Sequence, residues 1–185
     1  MNKKIPLAVL VGVVVVAAAA AFGYSAGVAA VKEQFGVKGW VQVKVVRDGQ
    51  VIYYHEGHNL ITNYGKDFIA QQLGSTSPAS NGANYIGLSN STDTPQVNWL
   101  SIPGEFQGYG LQRSQGGYSH TSGSNSFTVT KEFTAEAIFG QVKLAGLYST
   151  ENGNTLVAAN TFSPVNLISG DKLTITWTIT FQQQQ

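Results

Sequence analysis

The sequence of 185 residues contains no cysteine, a single methionine and few charges, with 11 Lys and Arg against 10 Asp and Glu for a formal net charge of +1. Without cysteine there is no zinc–thiolate site, no iron–sulfur cluster, no thiol nucleophile and no disulfide framework. Charges this sparse and this balanced give no positive field for general nucleic-acid binding. The phosphate-binding loop that ends in Gly-Lys-Ser/Thr is missing, as is the G-x-S-x-G elbow of a serine hydrolase. Disorder is excluded from the other side, because 43% hydrophobic residues at near-zero net charge do not match an unfolded composition.

Charge is also absent from residues 5–31, which are flanked by Lys3 and Lys4 on one side and by Lys32 and Glu33 on the other. As a helix these residues would span roughly 40 Å, enough to cross a hydrocarbon core of about 30 Å. Two readings stay open. One is a secretory signal peptide with small residues at Val28-Ala29-Ala30 or Ala19-Ala20-Ala21. The other is a retained helix, a membrane anchor or a filament core, in which Gly12, Gly23 and Gly27 allow close helix approach. Either way the remainder is expected outside the cytoplasm, and the chain divides into residues 1–31 and a domain over 32–185.

From Gly39 the hydrophobic period becomes two. Val41, Val43 and Val45 alternate with Gln42 and Lys44, and Asp48-Gly49 signals a hairpin. Leu173, Ile175, Trp177, Ile179 and Phe181 alternate with four threonines, the pattern of a half-buried antiparallel strand. Further strands are expected at 85–88, 126–134, 142–148 and 155–162, with a turn at Glu151-Asn152-Gly153-Asn154. One helix is expected at 64–73, capped by Thr62 or Asn63. The expected fold is mainly β: an antiparallel sandwich of Greek-key or jelly-roll type, Ig-like, with seven or eight strands and one short helix.

Residues 74–125 carry only Asp93, Glu105 and Arg113 as charged side chains besides His120, and are punctuated by Tyr85, Trp99, Phe106, Tyr109 and Tyr118. Such a segment suits a subunit interface or a cover over one sheet of its own domain. Trp99 and Tyr109 are candidate stacking platforms for sugars. Asn90-Ser91-Thr92 is the one N-glycosylation sequon, with Asn90 as acceptor.

Catalytic and metal patterns are weak. His55-Glu56-Gly57-His58 has the wrong spacing for a zinc helix, and neighbours on a strand point to opposite faces. Glu132 and Glu136, read as one face of one strand, would stand about 13 Å apart, too far for a retaining glycosidase pair. Asp93, Glu105 and Asp171 are loop carboxylates that suit calcium only if they converge. No catalytic residue, cofactor or metal ligand is therefore assigned, with calcium the one ion considered.

The segments Asn59-Leu60-Ile61-Thr62-Asn63 with Gly65-Lys66-Asp67, Tyr85-Ile86-Gly87-Leu88, and Gly170-Asp171-Lys172-Leu173-Thr174-Ile175-Thr176-Trp177 resemble a group of exported sandwich proteins. These are subunits of archaeal extracellular threads and bundling pili, together with fibre and surface proteins of archaeal viruses. The resemblance spans residues 41–181. It implies a self-assembling structural subunit, not an enzyme, joined by donor-strand complementation. The natural donor is residues 37–46, with Val37, Trp40, Val41, Val43 and Val45 as assembly residues; the partner is then the chain itself. The alternative function is a membrane-anchored or virion surface protein that attaches to a receptor or glycan, with an extracellular hydrolase as a third reading.

Overall fold

The computed structural model describes residues 34–77 and 81–184. The chain divides into two units, Met1–Glu33 and Gln34–Gln185, and all the strands and the helix described here belong to the second. The helix or signal peptide expected over residues 1–31 lies outside the described residues. Among the described residues no helix is long and apolar enough to cross a membrane.

The described chain runs β1 (Gln34–Arg47), β2 (Gln50–His58), β3 (Leu60–Ile61), α1 (Asn63–Gly74), β4 (Tyr85–Ser89), β5 (Ser114–Gln115), β6 (Gly117–His120), β7 (Ser126–Thr134), β8 (Phe139–Tyr148), β9 (Leu156–Leu167) and β10 (Lys172–Gln184). Two five-stranded antiparallel sheets result, in the orders β2-β1-β10-β7-β6 and β3-β9-β8-β4-β5. More strands form than expected because β3, β5 and β6 are pieces of two to four residues, too short to leave a periodic signal.

Asp48 and Gly49 both have positive φ, 50° and 77°, the signature of the tight turn whose twist matches a hairpin. They place β1 against β2 with Arg47 opposite Gln50. The alternating apolar residues then do what period two requires. Val41, Val43 and Val45 from β1, Val129 and Phe133 from β7, and Leu173, Ile175 and Trp177 from β10 point inward from the first sheet. Ile86, Leu88, Ala145, Leu147, Ala158 and Leu167 meet them from the second, forming one shared core.

The second sheet is buried on both faces. Its outer side chains Leu144, Tyr148, Leu156 and Ala159 pack against Ile102 and Trp99 of the long connection after β4. That is why Leu144 to Ser149 is buried without a break and reads as a continuous apolar run, not as an alternation. Residues 74–125 thus cover a sheet of their own domain. Glu136, read as part of the β7 face, lies beyond the strand's end at Thr134, so it does not share that face with Glu132. Glu132 pairs with Lys172 at 3.2 Å on the exposed surface.

α1 starts where Thr62 makes a cap. Its Oγ1 accepts the Gly65 N–H at 2.9 Å and donates to the Leu156 carbonyl, tying helix start and β9 together. Gly65 is required here, since a Cβ would stand 2.1 Å from the Val157 carbonyl oxygen. Two arginine–carboxylate pairs lock the loops. Arg47 holds Asp171 through Nε and Nη2 at 2.8 and 2.6 Å. Arg113 holds Glu105 in the same two-pronged way at 2.7 and 2.6 Å.

Candidate functional site

The strands of the first sheet end unevenly. β2 pairs with β1 only from Trp40 onward, and β7 pairs with β10 only as far as Thr180. Residues 34–39 therefore pair with residues 179–184 as a ribbon that runs past both neighbours. At the same end, β3 has two residues and β6 four, all four exposed. Edges this short leave the space between the sheets uncovered beside α1.

That space is an apolar groove of about 470 Å³, with Ile69 and Leu73 of α1 on one wall and Tyr118, Phe127 and Phe181 on the other. Its floor reaches the inward side chains Leu147 and Ala158 of the second sheet. A second apolar hollow of about 390 Å³ lies along α1 and shares Ile61, Ile69 and Leu73 with the first, and Val37 of the ribbon closes it. Leu73 is 75% exposed and Tyr118 62% exposed, so large apolar surface faces solvent along the rim. Apolar area left in water forgoes about 25 cal/mol per Å², which makes this the surface with most to gain from an occupant.

The residues expected to form a donor strand lie as follows. Val41, Val43 and Val45 are fully buried in the protein's own core, and β1 runs between β2 and β10 as an interior strand. Trp40 is half-buried and meets the His58 ring edge-on at 4.6 Å between centroids. Val37 alone of the five lines the groove system. Sequence reading did not find the groove itself. Its lining comes from β3, α1, β6, β7, β8, β9 and β10, and no linear pattern signals that such dispersed side chains meet.

The other candidates are scattered. Trp99 sits against the outer face of the second sheet, whereas Tyr109 is 69% exposed and faces Phe139 at 6.5 Å, so the two aromatics do not share a site. Asn90 is exposed directly after β4, accessible for modification. His55 packs near Phe162 and His58 against Trp40, while Glu56 accepts the Tyr54 hydroxyl at 2.8 Å. The three carboxylates considered for calcium do not converge: Asp171 is held by Arg47, Glu105 by Arg113, and Asp93 accepts the Ser91 hydroxyl. Among the described residues no group of three or more acidic or histidine side chains is placed to hold a metal ion.

Reading the sequence also missed the knot around Tyr148. The Arg113 guanidinium lies 3.4 Å above the Tyr148 ring centroid and also donates to the Gly153 carbonyl at 3.0 Å. The Tyr148 hydroxyl accepts the Ile102 N–H at 2.9 Å. Burial, reinforced by the Glu105 charge, pushes the Tyr148 phenol far above its ordinary pKa, so it stays protonated. Burial pulls the Arg113 pKa down, but the bonds to Glu105 outweigh it and the net direction is up. The knot staples loop to sheet. No protein-family model, curated protein or solved structure matches the chain.

Proposed function

We propose that this protein is a structural subunit of an extracellular filament, built as a Greek-key, Ig-like sandwich and joined to its neighbours through the apolar groove beside α1. The observation that carries this reading is the groove itself: an apolar trough that opens into the core where the sheet edges are shortest. Its occupant is a second copy of the chain, contributing an extended apolar segment taken from the residues ahead of β1. Residues 5–31 are uncharged throughout, and they join β1 within a few residues of Val37, which lines the groove system. Ten such residues, extended, reach about 33 Å, enough to pass from one subunit to the next.

In this reading β1 stays at home. Giving it away would uncover Val41, Val43 and Val45, each worth roughly 1.5–3 kcal/mol of burial. The donated strand lies beside β6, whose outer edge has no partner strand, and sets its apolar side chains into the trough. A protein without disulfides gains durability outside the cell from such assembly, by mass action. The uncharged polar surface and the exported position expected from the leader fit the same role.

The absence of native cysteine makes the test clean. Leu73→Cys combined with Val28→Cys, oxidised after assembly, is expected to give a ladder of covalent oligomers on a denaturing gel. Monomer alone, or filaments in electron micrographs with no ladder, rejects the groove as the joint.

A further inference from the structure

On the face of the second sheet away from the core, the connection after β4 forms two open hollows that meet at Ser101. One, of about 610 Å³, is lined by Asp93, Thr94, Gln96, Trp99 and Pro103 besides Ser101. The other, of about 430 Å³, is lined by Gln107, Gln112, Glu151, Asn152 and Asn154, with the Glu105–Arg113 pair at its base. Both volumes are in the range of small-molecule sites, and the lining is of one chemical kind: carboxamides, hydroxyls, and a single indole.

The backbone under these hollows is held at short intervals. Val97 O accepts the Asn63 N–H at 2.7 Å, Leu100 O the Leu156 N–H at 3.0 Å, and Leu88 O the Phe106 N–H at 2.9 Å. Ser89 Oγ donates to Pro103 O at 2.6 Å. A connection that only had to return the chain needs none of this. Pinned loops of this kind carry polar groups in fixed positions, which lowers the entropy cost of binding.

The side chains above that base are free to act. Gln112, Asn152 and Asn154 are exposed, and their amides make no hydrogen bond to protein among the described residues. Trp99 packs against the second cluster of the sheet and borders the larger hollow. Charge narrows the ligand. Arg113 is spent on Glu105 and on backbone carbonyls, so the remaining formal charges at the hollows are the carboxylates of Asp93 and Glu151. An anionic ligand would meet repulsion and no available cation.

We infer that these joined hollows bind a neutral oligosaccharide, with Trp99 as the apolar platform under a sugar ring and the amides of Gln112, Asn152 and Asn154 as partners for its hydroxyls. A sugar ring offers an apolar C–H face ringed by hydroxyls, and indole plus carboxamides answer both. This site is independent of the groove beside α1 and shares no lining residue with it. A filament displaying it would adhere to glycan-coated surfaces once per subunit.

Saturation-transfer NMR on the full-length protein reads the ligand's protons and tolerates any state of assembly. The probes are maltohexaose, mannohexaose and chitohexaose, with trigalacturonic acid as the anionic comparison. Transfer to at least one neutral hexaose is expected, with dissociation constants raised at least tenfold by Trp99→Ala. Because Trp99 also touches the sheet, the exposed pair Gln112→Ala/Asn154→Ala provides the second arm, with an expected weakening of about threefold to tenfold. Silence with all three neutral hexaoses overturns the proposal. So does equal or better binding of the galacturonate, or binding that both variants leave unchanged.

Discussion

Val37 and Phe181 stand opposite one another on the β1–β10 ribbon, beyond the reach of β2 and β7, and each borders one of the two hollows beside α1. Strands that continue past their neighbours with apolar side chains still facing inward are unusual, because the extra residues bury little. Here they extend one wall of a groove whose opposite wall is α1.

A charge placed on the α1 wall separates folding from assembly. Leu73 is mostly exposed, so Leu73→Arg is expected to change stability by less than about 0.5 kcal/mol. An arginine there would have to be desolvated against any apolar strand that enters, which is costly without a partner. Thermal unfolding should be unchanged while electron microscopy shows no filaments. Normal filaments from this variant would remove the groove from the joint.

Removal of the helix cap tests a different link. Thr62 is fully buried, caps α1 through Gly65, and donates to the Leu156 carbonyl. Thr62→Ala leaves both partners short of a bond in a dry site, an expected loss of about 1–2 kcal/mol. Thr62→Ser, which keeps the hydroxyl, should recover most of it. Denaturant midpoints for the two variants decide the matter, and equal midpoints would show that the hydroxyl contributes nothing.

The Glu105–Arg113–Tyr148 knot predicts a local effect. Glu105→Gln leaves a partly buried guanidinium without its charge partner, at a cost of about 2–3 kcal/mol after allowing for its residual exposure. Arg113→Lys should fare little better, since an ammonium can neither fork to the carboxylate nor stack on the ring. Amide exchange should rise first in residues 99–112, the loop that the knot fastens. A uniform rise across both sheets would mean the knot supports the whole fold and not the loop.

Much of the fold was legible because period two survives wherever one face of a strand meets solvent. β1, β7 and β10 alternate for that reason, and Asp48-Gly49 marks its hairpin by needing positive φ at both positions. The motifs behind the resemblance prove to be structural punctuation. Thr62 caps, Gly65 admits β9, and Gly87 leaves room for Glu105, whose Oε1 would stand 2.1 Å from an added Cβ. Gly39, which reads as a flexible joint, has a steric task instead: a Cβ there would run into the Asn59 side chain. The groove and the Tyr148 knot were not legible. Each gathers residues far apart in the chain, and their meeting depends on where short edge strands stop, which propensity does not encode.

The Arg47–Asp171 pair makes stability depend on acid in a calculable direction. Asp171 is 1% exposed, and its carboxylate accepts Arg47 Nε and Nη2 as well as the Ile168 N–H at 2.8 Å. The bonds from Arg47 hold its carboxyl below the ordinary aspartate value, against a smaller opposing pull from burial. In the unfolded chain the same group titrates near its usual pKa of about 3.9. Between the two values the unfolded chain takes up a proton that the folded chain refuses, so lowering the pH favours unfolding. The contribution is fully present above the unfolded value and disappears as pH falls through the folded one. Asp171→Asn removes this term. The variant should be less stable than the parent at pH 7, and its denaturant midpoint should fall less steeply between about pH 4.5 and about pH 2. Parallel curves for parent and variant across that window would place the acid sensitivity in other carboxylates, leaving the Arg47–Asp171 pair a purely positional clamp between the β1–β2 hairpin and the turn before β10.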